Sequence, residues 1–210
     1  MLDLSLLRET EVSESPFPFL IVPQFVTKEA CAAINQDFPK VQSAGSYPLS
    51  SLQYGSQFQE FIRKIQGPEF RDIVAEKLKI SLDNLPTLVT VRGKSQARDG
   101  RIHVDSKTKV VTVLIYMNPS WEEHGGRLRL LNSSTNIDDY FAEVPPVEGT
   151  MILFTVTPNC WHGHLPFIGE RRVIQLNWLT SQKVVNNMNA RHSFTAKIKK
   201  LKNWLGLSEY

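Results

Sequence analysis

The sequence predicts a mainly β protein with flanking helices, an α+β chain built on a β-sandwich, jelly roll or barrel. Two observations carry this. After Pro86, six or so short β-branched and apolar segments follow one another at short intervals, separated by turn residues. Before Pro86 and after residue 180, apolar residues recur instead at helical spacing. In order, residues 16–23 read as a short strand closed by proline. Thr27 caps a helix with Cys31, Ile34 and Phe38 on one side, and residues 42–56 read as a loop. Phe58, Phe61, Ile62 and Ile65 mark a second helix. Gly67-Pro68 breaks it and opens a third, with Phe70, Ile73, Val74 and Leu78 on one face.

The strands begin at Thr87. Residues 110–117 form the strongest of them, apolar on both faces and so expected between two layers. Gly125-Gly126 turns into an alternating strand at 127–131. Residues 132–139 are polar and loop-like. Short strands follow at 141–144 and 149–154, and the last runs from Arg171 to Leu179. The expected organisation is one domain over 1–180, with helical support over about 1–85 and the β core over about 86–180. A helical extension over 181–210 places Phe194, Ile198, Leu201 and Leu205 on one side among lysines, a pattern of a docking helix with a solvated basic face.

Composition bounds the function classes. The chain has 210 residues, is 41% hydrophobic and 21% charged, and carries a formal net charge of +3, too weak by itself to indicate a nucleic-acid partner. No apolar run approaches the ~20 residues that span a bilayer, and the first ten residues lack the features of a signal peptide. Two cysteines, Cys31 and Cys160, make no disulfide framework. These features point to a cytoplasmic protein with no membrane span.

The chemistry lies in three segments. His103-Val104-Asp105 puts an imidazole and a carboxylate on the same side of an extended segment. One further histidine completes a two-histidine, one-carboxylate facial triad for divalent iron, with positions left open for a bidentate 2-oxo acid and dioxygen. Trp161-His162-Gly163-His164 lies far downstream and offers that histidine twice. His162 and His164 share strand parity, so spacing alone does not separate them. Arg171, nine residues after His162, supplies a planar, permanently charged fork for a distal carboxylate; Arg172 has the opposite parity and should point outward. Thr112, Leu114 and Tyr116 share one strand face, as do Arg171, Val173, Gln175 and Asn177. Both faces are expected to line the interior, where a buried Arg and Tyr need partners. Trp121 and Trp178 read as packing residues, His124 as an exposed loop residue, Cys160 as a buried apolar one, and His192 as a tail residue without a visible partner.

The stretch from Arg101 to Leu179 resembles the Fe(II)/2-oxoglutarate-dependent dioxygenases, in particular their prolyl-hydroxylase-like branch. The resemblance rests on an ordered set: His103-Val-Asp105, Thr112-Val-Leu-Ile-Tyr116-Met-Asn118, Trp121, Gly125-Gly126-Arg-Leu-Arg-Leu, Pro146-x-x-Gly149, Trp161-His162-x-x-x-Pro166 and Gly169-Glu-Arg171. It implies a double-stranded β-helix, or jelly-roll, core. It further implies that His103, Asp105 and His162 ligate iron, in preference to His164. Arg171 would anchor the distal carboxylate of 2-oxoglutarate, with Tyr116 as a hydrogen-bond donor and Thr112 near the co-substrate. The implied activity is hydroxylation of an unidentified substrate with dioxygen, releasing succinate and CO2, with ascorbate as a candidate reductant. The presence of Asp105 argues for hydroxylation over halogenation. A cupin-like jelly roll binding a metal or ligand without turnover is the alternative. A silent scaffold and a zinc hydrolase rank behind it, the first because the triad is intact and the second because no general base stands at motif spacing. The polar loop 93–101, with Gln96, Arg98 and Arg101, and the stretch 132–140 are candidates for contact with a peptide or small-molecule substrate.

Overall fold

The computed structural model describes residues 1–190. In order, α1 (Leu4–Glu9), β1 (Phe19–Val22), α2 (Lys28–Gln36), β2 (Tyr47–Pro48), α3 (Ser56–Ile65) and α4 (Pro68–Leu78) precede the β-rich part. That part comprises β3 (Thr87–Ser95), β4 (Lys109–Tyr116), β5 (Leu128–Leu131), β6 (Tyr140–Val144), β7 (Met151–Thr155), β8 (His162–Gly163) and β9 (Gly169–Leu179). Residues 182–190 are helical, and the expected continuation, with Phe194, Ile198, Leu201, Leu205 and His192, lies outside the described residues.

The local signals act as their chemistry dictates. The Thr27 hydroxyl accepts the Ala30 N–H and starts α2, satisfying one of the unpaired donors at a helix N-terminus. Pro68 sits in the first turn of α4, where its missing N–H costs nothing. Lys79, left-handed at φ 55°, closes that helix.

The strands form two antiparallel sheets facing each other: a six-stranded sheet in the order β1-β7-β4-β9-β3-β2 and a three-stranded sheet in the order β6-β5-β8. This is the jelly-roll arrangement. β1 falls within the 16–23 stretch read as a short strand, while β2 falls within the 42–56 stretch read as a loop; they form the two edges of the large sheet. β8 is a two-residue strand within the segment read only as a ligand-bearing stretch.

Period-two alternation gives the large sheet two different faces. Val111, Val113 and Ile115 of β4, with Ile174, Leu176 and Trp178 of β9, face the helical layer and pack with Phe58, Phe61, Phe70 and Ile73. Tyr116, Val173, Ile152 and Phe154 face the small sheet and pack with Leu128, Leu130 and Val144. Burial on both faces explains the near-continuous apolar run of β4. Fully burying each large side chain contributes about 1.5–3 kcal/mol, so the helical layer is what holds the sheet's outer face. Val185, with Leu88 and Leu179, forms a smaller cluster that ties helix 182–190 to the end of the sheet.

Both cysteines are free and buried. Burial, aided by the negative charges of Glu148 and Glu29, pushes the Cys31 thiol up to about 12. A thiolate-directed reagent at pH 8 is therefore expected to label neither cysteine in the native protein and both after denaturation. Rapid native labelling, read by mass spectrometry, would contradict this packing.

Candidate metal and dicarboxylate site

A backbone bridge brings the first two site residues together. The N–H of His103 donates to the carbonyl of His162, and the N–H of His162 donates to the carbonyl of His103, both at 3.0 Å. The segment before β4 thus runs antiparallel to β8. The two imidazoles stand side by side with ring centroids 4.3 Å apart. Asp105, two residues on, reaches the same point. One ligand atom from each of His103, Asp105 and His162 lies within 4.8 Å of the others. Among the described residues this is the group able to hold a metal ion, and His164 is not part of it.

Each ring is held in one tautomer. His103 Nδ1 meets the Arg101 carbonyl at 2.8 Å, and His162 Nδ1 meets the Cys160 carbonyl at 2.8 Å. A carbonyl can only accept, so Nδ1 carries the proton and Nε2 keeps its lone pair, as a metal ligand requires. Burial, reinforced by the neighbouring His103, pushes His162 down to about 4, so that ring is neutral near pH 7.

Asp105 is placed from below by β4 and β9. Gln175 Nε2 donates to Asn177 Oδ1 at 3.1 Å, and Asn177 Nδ2 donates to Thr112 Oγ1 at 2.7 Å. Because Thr112 accepts from an amide N–H, its own hydrogen is free for Asp105 Oδ2, to which it donates. Lys109 Nζ lies 2.7 Å from the other oxygen, Oδ1. Burial raises the Asp105 pKa, but the charges of Lys109 and His162 and the hydrogen bonds from Lys109 and Thr112 outweigh it and hold the carboxyl below its usual range. Thr112, expected near the co-substrate, thus has its hydroxyl on Asp105.

Arg171 and Tyr116 form the second half of the site. Gly126, at φ 76°, turns its carbonyl toward Arg171 Nε, which donates to it at 2.8 Å. A side chain at Gly126 would press into the Trp121 ring, so the turn needs glycine. The Arg171 guanidinium lies 5.5 Å from the centre of the Tyr116 ring. Burial works against the arginine's charge and lowers its pKa, yet an arginine remains protonated in any protein setting. Among the described residues no carboxylate forms an ion pair with it. The Tyr116 hydroxyl is fully buried and lacks a hydrogen-bond partner of good geometry among the described residues. Burial raises its pKa despite the nearby guanidinium. A buried cation without a counter-anion and a buried hydroxyl without a partner are each costly. A carboxylate accepts from both, so these residues fit a dicarboxylate co-substrate.

The metal group and the arginine open on one cavity of about 300 Å³, whose wall includes Thr90, Arg92, Lys109, His164 and Gln175. His164 lines this cavity but is not part of the metal group. Its Nδ1 meets the Leu165 carbonyl at 2.8 Å, and burial, with the Arg171 charge, pushes it down to about 4. Arg172 points to the helical layer, as parity predicts, reaching Asn35 at 3.2 Å and Glu170 at 2.6 Å. Trp121 packs on Phe167, Trp178 lies in the core, and His124 is exposed. In the loop expected to touch substrate, Gln96 bonds Asp99, and Arg98 and Arg101 are exposed. Lys109, Arg92 and Met188 line the cavity without having been singled out in the sequence. For Lys109 a signal existed, four residues from Asp105 on the approach to the strongest strand.

A jelly roll that gathers two histidines and an aspartate beside a buried arginine defines a class, the metal-dependent oxygenases that use a 2-oxo acid. Residues 93–180 match the sequence model of the 2OG-Fe(II) oxygenase superfamily, and that stretch of the chain is a 2OG-Fe(II) oxygenase domain. The protein is accordingly a dioxygenase that depends on Fe(II) and 2-oxoglutarate. Compared with the curated proteins by sequence, the chain finds no match.

Solved structures share the fold. A prolyl-4-hydroxylase from Pseudomonas putida is 17% identical with a TM-score of 0.55, over 78% of this chain and 92% of that one. The viral collagen prolyl hydroxylase from Paramecium Bursaria Chlorella virus-1, in complex with 2OG, is 16% identical with a TM-score of 0.55, over 78% and 96%. HygX from Streptomyces hygroscopicus, with nickel and 2-oxoglutarate bound, is 13% identical with a TM-score of 0.53, over 78% and 82%.

Gly100 tests the backbone bridge. It sits at φ 82°, its carbonyl accepts the His164 N–H at 2.9 Å, and a Cβ there would overlap the His164 ring. Gly100→Ala is expected to cost roughly 1–3 kcal/mol in urea unfolding. Wild-type stability in this variant would show that the 96–103 segment is not docked as described.

Proposed function

We propose that His103, Asp105 and His162 hold Fe(II), and that Arg171 and Tyr116 hold the distal carboxylate of 2-oxoglutarate. The observation that carries this reading is the pairing of a tautomer-fixed His-Asp-His cluster with a buried arginine that has no counter-anion among the described residues. With dioxygen, the metal and co-substrate supply the oxidising power: 2-oxoglutarate is converted to succinate and CO2, and a substrate C–H becomes C–OH. Each residue of the chain then has a positioning task. The carbonyls of Arg101 and Cys160 fix the two imidazoles. The chain Gln175–Asn177–Thr112 fixes one oxygen of Asp105. The Gly126 carbonyl aims Arg171 into the cavity, where its planar fork receives a carboxylate edge-on.

The cupin-like reading, ligand binding without turnover, has no use for Arg171 beside Tyr116. A hydroxylase does. Two buried free thiols and a readily oxidised metal suit the reducing cytoplasm. No helix among the described residues is long and apolar enough to cross a membrane.

The test is anaerobic titration of the apoprotein with Fe(II) and 2-oxoglutarate. A visible metal-to-ligand charge-transfer band is expected for the wild type and for His164→Ala, and none for Asp105→Ala or His162→Ala. Arg171→Gln should weaken 2-oxoglutarate about 10- to 100-fold, the loss of charge-assisted hydrogen bonds worth ~1.5–3 kcal/mol. If His164→Ala abolishes the band while His162→Ala keeps it, the ligand assignment is wrong. Uncoupled succinate formation, assayed with ascorbate, reads turnover.

A further inference from the structure

Lys109 has no task in the site described above, yet its ammonium lies in the middle of it. Nζ sits 2.7 Å from Asp105 Oδ1, the two side chains are only 14% and 8% exposed, and Lys109 lines the same cavity as the metal group. In the protein alone this is a satisfied ion pair. A divalent cation taking Asp105 as ligand changes that: a dication and an ammonium sharing one carboxylate repel each other across a few ångströms of low-dielectric space.

The charges around the loaded cavity then leave one cation over. The divalent metal and the two carboxylates of the co-substrate cancel. Arg171 and Asp105 cancel. Arg92, the third cation of the wall, faces Asp99 at 3.4 Å. Lys109 remains, largely buried, with no other carboxylate partner among the described residues. A buried charge of this kind is tolerated where a ligand of opposite sign completes it.

We propose that Lys109 is the anchor for a carboxylate on the substrate, released from Asp105 when the metal binds. This rests on the metal and co-substrate assignment above and extends it to the substrate class. The substrate is a small carboxylic acid. The cavity of about 300 Å³ must also accommodate 2-oxoglutarate, and Leu88, Leu114 and Met188 supply an apolar wall for a carbon skeleton beside the charged group. An internal residue of a polypeptide has no carboxylate at its backbone to offer this lysine.

Two measurements test the proposal. In the first, the full chain loaded anaerobically with Fe(II) and 2-oxoglutarate is titrated with the free amino acids and small carboxylic acids, each paired with its amide, and with blocked prolyl peptides, reading the shift of the visible band. At least one free acid should shift the band at concentrations tenfold or more below its amide. Lys109→Met should erase that preference and Lys109→Arg retain it. In the second, Mn(II) binding without co-substrate is followed by calorimetry. Lys109→Met should bind Mn(II) about tenfold more tightly than wild type, since a competing cation is gone, and Lys109→Arg should not. The proposal is overturned if no free acid shifts the band, if acid and amide act alike, if only the peptides act, or if Lys109→Met binds Mn(II) more weakly, the mark of a residue that merely props Asp105. A band that forms but ignores every acid overturns the role of Lys109 and leaves the metal site standing. A band that never forms removes the site assignment itself, and the Mn(II) series still judges Lys109.

Discussion

Everything in the site depends on the two reciprocal backbone hydrogen bonds between His103 and His162. They join a segment that belongs to no strand to a two-residue strand, and they set the spacing of two imidazoles that are far apart in sequence. In a close antiparallel pair, facing residues place their side chains on one side of the ladder. That geometry, rather than any contact between the rings, puts two Nε2 lone pairs within reach of one point. Asp105 follows from the same constraint, because a residue two positions along an extended segment returns to the same face. The neighbouring bond from the His164 N–H to the Gly100 carbonyl continues the pairing, and only glycine leaves room for it.

The large sheet supports this bridge by being two-faced. β4 and β9 present valine, isoleucine, leucine and tryptophan to the helical layer and Thr112, Arg171, Gln175 and Asn177 to the cavity, with the Tyr116 ring buried beside Arg171. The apolar face is packed as a core, so the polar face inherits a rigid backbone. Hydrogen bonds such as that from Asn177 to Thr112 then have one available direction, and the polarity of the chain ending at Asp105 follows from where donors and acceptors run out. Rigidity from ordinary hydrophobic burial is thereby converted into the orientation of a single carboxylate.

Much of this was legible in the sequence because it depends on periodicity. The His-x-Asp spacing, the shared parity of Thr112 with Tyr116 and of Arg171 with Asn177, and the outward turn of Arg172 are all consequences of a two-residue repeat. The choice between His162 and His164 was beyond periodicity, since both have the same parity. Three-dimensional placement separates them: His162 joins His103 and Asp105, and His164 does not. β8 and β2 were illegible because two residues carry no pattern, whereas β1 lies within the 16–23 stretch that proline and its apolar run mark as a short strand. Lys109 was overlooked for a different reason. A lysine before a strand reads as a solvated end, and only the fold shows its ammonium turned inward onto Asp105.

The same residues show how folding and ligand binding divide the electrostatic cost. Among the described residues Arg171 is buried without a counter-anion, and the Tyr116 hydroxyl beside it is buried without a hydrogen-bond partner of good geometry. Neither arrangement helps the chain fold, and each opposes it by an amount comparable to a lost charged hydrogen bond. Asp105, by contrast, is satisfied on both oxygens, one by Thr112 and one by Lys109. The metal half of the site is thus closed on itself in the protein alone, while the dicarboxylate half is left wanting. On the proposed assignment, binding of the co-substrate would relieve a deficit already built into the fold, and entry of the metal would create a new one by displacing an ammonium from its carboxylate. The loaded site would then be electrostatically complete only when something anionic takes up that ammonium, which makes the identity of the substrate a question about charge before it is a question about shape.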